Sequence, residues 1–175
     1  VSLRRMPGQR SSSGTFQNFP LELIGENVGG PSRAFTRTPD GQALSTRLSG
    51  GSRYYYTQDS LGSVVGVFDR TGVYLGGYSD SPYGETRAVS TGSALTTNHL
   101  RYISGYDDTG SGLYKLGARY YDPSIGRFTQ YDPSGQETNP YAYAGCYPIN
   151  AKDPSGLACA DNALAAGPSL GTSRM

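Results

Sequence analysis

Tryptophan is absent from the 175 residues, histidine occurs once and cysteine twice. A lone His99 with Cys146 and Cys159 cannot assemble a Cys/His metal cluster, so neither a metal centre nor another cofactor is expected. One disulfide and two free thiols are both open on arithmetic. A Cys–His nucleophile pair is formally present. However, His99 lies in the polar stretch TTNHL (96–100), and nothing marks either cysteine as activated. Charge is balanced as well as scarce: 15 Lys and Arg against 14 Asp and Glu leave a net +1. That removes the electrostatic case for a nucleic-acid partner or an anionic membrane surface. No apolar run approaches membrane-spanning length, so no spanning segment is expected. No secretory leader is visible, and a first residue of Val rather than Met suggests a processed chain or a piece of a longer one.

What the chain does have is 25 Gly and 15 Tyr, in a composition only 35% hydrophobic with mean hydropathy −0.50. A core made from this must take tyrosine in bulk, and buried phenol hydroxyls need partners. Tyr and Gly with little Leu suit short strands and turns better than helices, so the fold class expected is all-β. Turn signals recur as PDG (39–41), DSLG (59–62), DRTG (69–72), SPYG (81–84), DDTG (107–110), DPSG (132–135) and DPSG (153–156). Between them lie short aromatic or apolar runs, the rhythm of antiparallel strands joined by tight turns. Such self-similarity points to a repeat sheet whose units cover one another.

Four segments are expected: an N-terminal arm and irregular β segment (1–50), a repeat β segment (51–100), a core module (101–157) and a C-terminal tail (158–175). Residues 86–98 read as an exposed loop, and few helical residues are expected outside 136–152. Read as one strand, 113–121 (LYKLGARYY) puts Tyr114, Leu116, Ala118 and Tyr120 on one face and Lys115, Arg119 and Tyr121 on the other. On that reading the ordinary fate of Arg119 is a solvated place on the sheet face. The tyrosines of 113–121 and 141–143 are expected to be buried.

The two DPSG copies pose a choice. Asp, Pro and Gly at the first, second and fourth positions specify a type I turn. Two aspartates in identical turns also suit general acid/base work, in which an ionised carboxylate takes a proton from water and a protonated one polarises a carbonyl. An arginine nearby favours the charged form of one of them.

In fixed order, ARYYDPSIGRF (118–128), NPYAYAG (139–145) and DPSGL (153–157) resemble the Rhs-repeat-associated core, and residues 54–85 are similar to the tyrosine-aspartate (YD) repeats of the same proteins. The resemblance implies an antiparallel YD-repeat β-ribbon, a shell or tube segment, capped by the core module. It implies that the shell encloses a C-terminal toxin and that the core cuts its own chain after the Leu of DPxGL. Carried over, the catalytic residues are Asp132, Asp153 and Arg119, and the cleaved bond is Leu157–Ala158. At most this is single-turnover, aspartyl-protease-like autoproteolysis. Partners would be the rest of the shell and a toxin cargo, in a secreted or extracellular setting. The chain departs from the family in having Cys146-Tyr147 where Asn-Asn is usual, and Ala151 in place of an aromatic. It is also short for a closed cage, and residues 158–175 are too few for a toxin enzyme. The alternative is an uncleaved structural subunit whose sheets pair with copies of itself in a filament or tube. A carbohydrate- or receptor-binding β module rests only on the Tyr and Gly content.

Overall fold

In a computed structural model, residues 17–19, 22–27, 31–90, 92–135, 138–157 and 160–161 are described. The expected arm before residue 17, Ala158, the tail from residue 162 and the pairing of Cys146 with Cys159 lie outside them.

All of the predicted turns except the first DPSG are hairpin ends. Gly62 N–H donates to the Asp59 carbonyl at 3.1 Å, while Asp59 Oδ1 accepts from the Leu61 and Ser63 amides at 3.0 and 2.8 Å. Asp69 repeats the arrangement, with Gly72 at 3.1 Å and the Thr71 and Val73 amides at 2.8 and 3.0 Å. A carboxylate that satisfies two turn amides fixes the corner, which is why Asp opens these turns.

The corners generate a seven-stranded antiparallel meander: β1 (Gln17–Phe19), β2 (Glu22–Glu26), β3 (Arg33–Arg37), β4 (Ala43–Leu48), β5 (Arg53–Gln58), β6 (Val64–Asp69) and β7 (Tyr74–Gly76). The sheet runs without a break across residue 50. A two-stranded piece follows, β8 (Tyr78–Asp80) with β9 (Thr86–Val89), and then one helical turn, α1 (Ser93–Thr96). The expected loop at 86–98 is therefore part strand and part helix. Leu95, fully buried against Val64, Val67 and Leu100, is the reason the turn forms there. With a 3-10 turn at Tyr102–Ser104, the described residues carry few helical positions outside 136–152, as expected.

A separate four-stranded antiparallel sheet follows, of β10 (Tyr106–Asp108), β11 (Leu113–Leu116), β12 (Arg119–Asp122) and β13 (Arg127–Phe128). A last hairpin pairs β14 (Ala151–Lys152) with β15 (Ala160–Asp161). The run 113–121 is thus two strands, and the single-strand reading is corrected. The chain turns at Gly117-Ala118, so Leu116 pairs with Arg119, and the inward residues are Tyr114, Leu116, Arg119 and Tyr121. Gly117 permits this because its φ is +46° and a Cβ there would lie 2.0 Å from the Ser155 carbonyl oxygen.

Tyrosine does fill this core. Tyr102, Tyr114, Tyr121 and Tyr143 pack with Phe128 and Leu116, with the Tyr121 and Tyr143 rings 4.5 Å apart. Hydroxyls of Tyr102 and Tyr121 donate to the carbonyls of Pro82 and Tyr83, at 2.8 and 2.7 Å. The SPYG turn thereby supplies the partners that these two phenols require. Tyr120 is only half-buried and Tyr141 is exposed, edge-on to Tyr131, so the expectation of burial fails at those two positions.

Candidate active site

Three side chains far apart in sequence are almost wholly buried, Arg119 and Asp153 at 2% exposure and Asp132 at 1%, while the rest of the first DPSG turn is exposed. The Gly117-Ala118 corner faces Arg119 inward on β12. Its guanidinium lies 3.6 Å from the Phe128 ring centroid, so the solvated sheet-face alternative is excluded. The fork reaches three segments. Nε donates to the Gly156 carbonyl at 2.6 Å, Nη1 to the Pro140 carbonyl at 3.1 Å and Nη2 to Asp153 Oδ2 at 3.1 Å. Pro140 also accepts from the Asp132 amide at 3.0 Å, so one carbonyl ties the first DPSG turn to the arginine that holds the second. An ion pair of this kind lets Asp153 be buried as an anion.

Both DPSG segments form the predicted turns. Gly135 N–H donates to the Asp132 carbonyl and Gly156 N–H to the Asp153 carbonyl, each at 3.4 Å. The second turn is pinned further where Ala118 N–H donates to the Ser155 carbonyl at 2.8 Å. It lies in the loop between β14 and β15, so backbone on both sides of residue 157 belongs to one hairpin.

The two aspartates bear on the same residue from opposite sides. Leu157 N–H donates to Asp153 Oδ1 at 3.2 Å and lies 3.1 Å from Ser155 Oγ, which itself donates to Asp153 Oδ1 at 2.9 Å. The Leu157 carbonyl oxygen lies 2.8 Å from Ser134 Oγ, and that hydroxyl lies 2.8 Å from each Asp132 carboxylate oxygen. Asp153 therefore contacts the amide of Leu157 directly, while Asp132 connects to its carbonyl through Ser134. Tyr143 forms part of the wall, and burial pushes its phenol well above its ordinary value. The structure brings Arg119, Asp132, Asp153 and Leu157 together; Ala158 is outside the described residues. Sequence reasoning left out Ser134, Ser155 and the Pro140 carbonyl. Serine repeated at the third place of both turns was the signal for the first two, whereas nothing in a sequence marks a carbonyl.

His99 belongs elsewhere. It stacks on Tyr106 with centroids 5.1 Å apart, and its Nδ1 lies 3.0 Å from the Asp107 carbonyl oxygen. Among the described residues no group of three or more His, Cys, Asp or Glu is placed to hold a metal, and no helix is long and apolar enough to cross a membrane.

Comparison with known proteins agrees with the fold. A family model described as Teneurin YD-shell matches residues 38–154. The tRNA3(Ser)-specific nuclease WapA of Bacillus spizizenii is 31% identical over 130 residues, which is 71% of this chain and 6% of that protein. Toxin protein Tse5 of Pseudomonas aeruginosa is 36% identical over 106 residues, 59% of this chain and 8% of the other. Among solved structures, a crystal structure of TcdB2-TccC3 superposes with a TM-score of 0.65 at 23% identity, over 78% of this chain and 7% of that one. The chain thus spans less than a tenth of each of these three, and the match to the last speaks for the fold.

Proposed function

We propose that this chain, which belongs to the Teneurin YD-shell family, is the closing segment of a YD-repeat shell that cuts its own backbone once, after Leu157. The observation that carries this is the convergence of Asp132 and Asp153 on the two polar groups of one residue, Leu157. Asp153, paired with Arg119, is the base that takes a proton from water as the water oxygen attacks the Leu157 carbonyl carbon. Asp132 is the acid on the carbonyl side. The carbon–nitrogen bond to Ala158 then breaks, and the departing nitrogen takes the proton held by Asp153. The products are a Leu157 carboxyl and an Ala158 amine. Residues 101–157 act as the core module and the strands before them as shell wall. A toxin cargo and a secreted or extracellular setting are part of this proposal, supported by relatives named as a toxin and a nuclease.

The test joins a stable reporter domain after Met175 and follows its separation on a denaturing gel. The expected result is separation in the wild type and full-length chain for Asp132→Asn and for Asp153→Asn. Turn geometry tolerates Asn at the first position, so the fold survives both. Combining them adds nothing, because the pair works as a unit. Wild-type chain that stays full length through expression leaves both aspartates as turn residues and favours the uncleaved assembly of YD-repeat sheets.

A further inference from the structure

Three oxygens surround Ser134 Oγ at hydrogen-bonding distance: both Asp132 carboxylate oxygens and the Leu157 carbonyl oxygen, each at 2.8 Å. A serine hydroxyl carries one proton and two acceptor lone pairs. If that proton goes to Asp132, the Leu157 carbonyl faces a lone pair. If it goes to Leu157, the contact with Asp132 needs a proton from the carboxyl side. The second arrangement, with one proton on Asp132 Oδ2, places a proton in that contact and in the Leu157 contact, while Oδ1 accepts the Ser134 amide at 2.9 Å. The equivalent serine of the other turn has the opposite role, since Ser155 donates to Asp153 and lies at the Leu157 amide. The two identical turns thus meet the two successive peptide groups of Leu157 with unlike proton patterns.

We propose that Ser134 is a catalytic residue of the cleavage, relaying the Asp132 proton to the Leu157 carbonyl oxygen. The inference rests on the cleavage reading above. As water attacks the carbonyl carbon and gives its proton to Asp153, the carbonyl π electrons move onto oxygen. That oxygen takes the Ser134 proton, and Ser134 takes the proton of Asp132. On collapse of the tetrahedral species the movement reverses along the relay, and Asp153 protonates the nitrogen of Ala158. Asp132 ends protonated and Asp153 ionised, as they began. Ser134 stands at the solvent-exposed rim of the first turn, which leaves water a path to the carbonyl.

The third Asp-Pro-Ser turn supplies an internal control. Ser124 Oγ donates to Asp122 Oδ1 at 2.6 Å and its amide to the same oxygen at 2.9 Å, the same local bonds in an exposed setting outside the site. The experiment uses the full chain with the reporter after Met175, unfolded in denaturant and refolded by dilution across a pH series. The expected result is that Ser134→Ala slows separation about 100-fold or more, the usual worth of a positioned proton donor, while Ser124→Ala matches wild type. Ser134→Thr, which keeps a hydroxyl, recovers most of the rate. The rate profile across pH changes shape in Ser134→Ala, because the relayed proton step is lost, which a purely structural role does not produce. Ser134→Ala cutting at the wild-type rate with an unchanged profile overturns the relay and leaves the cleavage standing. Wild type that never cuts overturns both. Ser134→Cys guards against misfolding of the alanine variant: it keeps the volume with a weaker donor, is expected to be slow, and overturns the relay if fast.

Discussion

At the scale of the residue, the site depends on a buried charge held by one fork. Removing one member of a buried ion pair leaves the other uncompensated and typically costs about 3–5 kcal/mol. Arg119→Ala is therefore expected to lose roughly that much stability in addition to cutting. Urea unfolding in an Asp132→Asn background, where no cut complicates the transition, measures it. A loss within about 0.5 kcal/mol, ordinary for a surface substitution, would contradict the clamp. Asp80 gives a second prediction, independent of cleavage. Its Oδ1 is buried without a hydrogen-bond partner, and burial pushes the carboxyl above its ordinary 3.8. The folded chain then binds this proton more readily than the unfolded chain. Its ionised form weakens the fold above the folded value, and stability recovers as pH falls through that value toward 3.8. Asp80→Asn should be the more stable protein at neutral pH, with the advantage shrinking across that window. An advantage that stays constant with pH would count against it. The identities of Asp132, Asp153 and Arg119 were legible because an Asp-Pro-Ser-Gly turn repeats and a family resemblance linked them. Their burial was not, since Arg119 reads as solvated until the hairpin that turns it inward is known.

At the scale of the element, the turns were legible and the register was not. Asp and Gly three apart specify their corners locally, and the hairpins at Asp59 and Asp69 follow directly from that chemistry. LYKLGARYY contains only one glycine and reads as a continuous strand. It folds as a hairpin because the Gly117-Ala118 corner packs against the backbone of Ser155. A contact across nearly forty residues decides it, and no local pattern carries that information. The same contact makes a prediction. At Gly117 a Cβ meets the Ser155 carbonyl and the backbone is left-handed, a region costing other residues about 1–2 kcal/mol before any clash. Gly117→Val should push the second DPSG turn away from Arg119 and stop cutting, with the seven-stranded sheet retained. Far-UV circular dichroism and the reporter assay together check it. Cutting at the wild-type rate in this variant would mean that the turn does not depend on the corner.

At the scale of the whole molecule, two tyrosine-rich modules are joined by bonds from phenols and side chains of one to the backbone of the other. Lys152 Nζ donates to the Leu61 carbonyl at 2.8 Å, and Ser104 Oγ to that of Gly62 at 2.7 Å. Burial pushes the Tyr102 phenol up to about 12, and it raises Tyr114 and Tyr121 as well. A phenol raised in the folded state contributes stability that is full below its ordinary 10.0 and is lost as pH climbs toward the folded value. Alkaline titration should show Tyr102, Tyr114 and Tyr121 ionising only in a cooperative step with unfolding. All tyrosines ionising together near 10.0 would deny the core. The central claim, that the two DPSG turns cut the chain they belong to, is tested most directly by the intact mass of the protein purified without protease. The account predicts an N-terminal product whose last residue is Leu157, absent from Asp132→Asn and Asp153→Asn preparations. A single mass for the uncut chain in all three would contradict it.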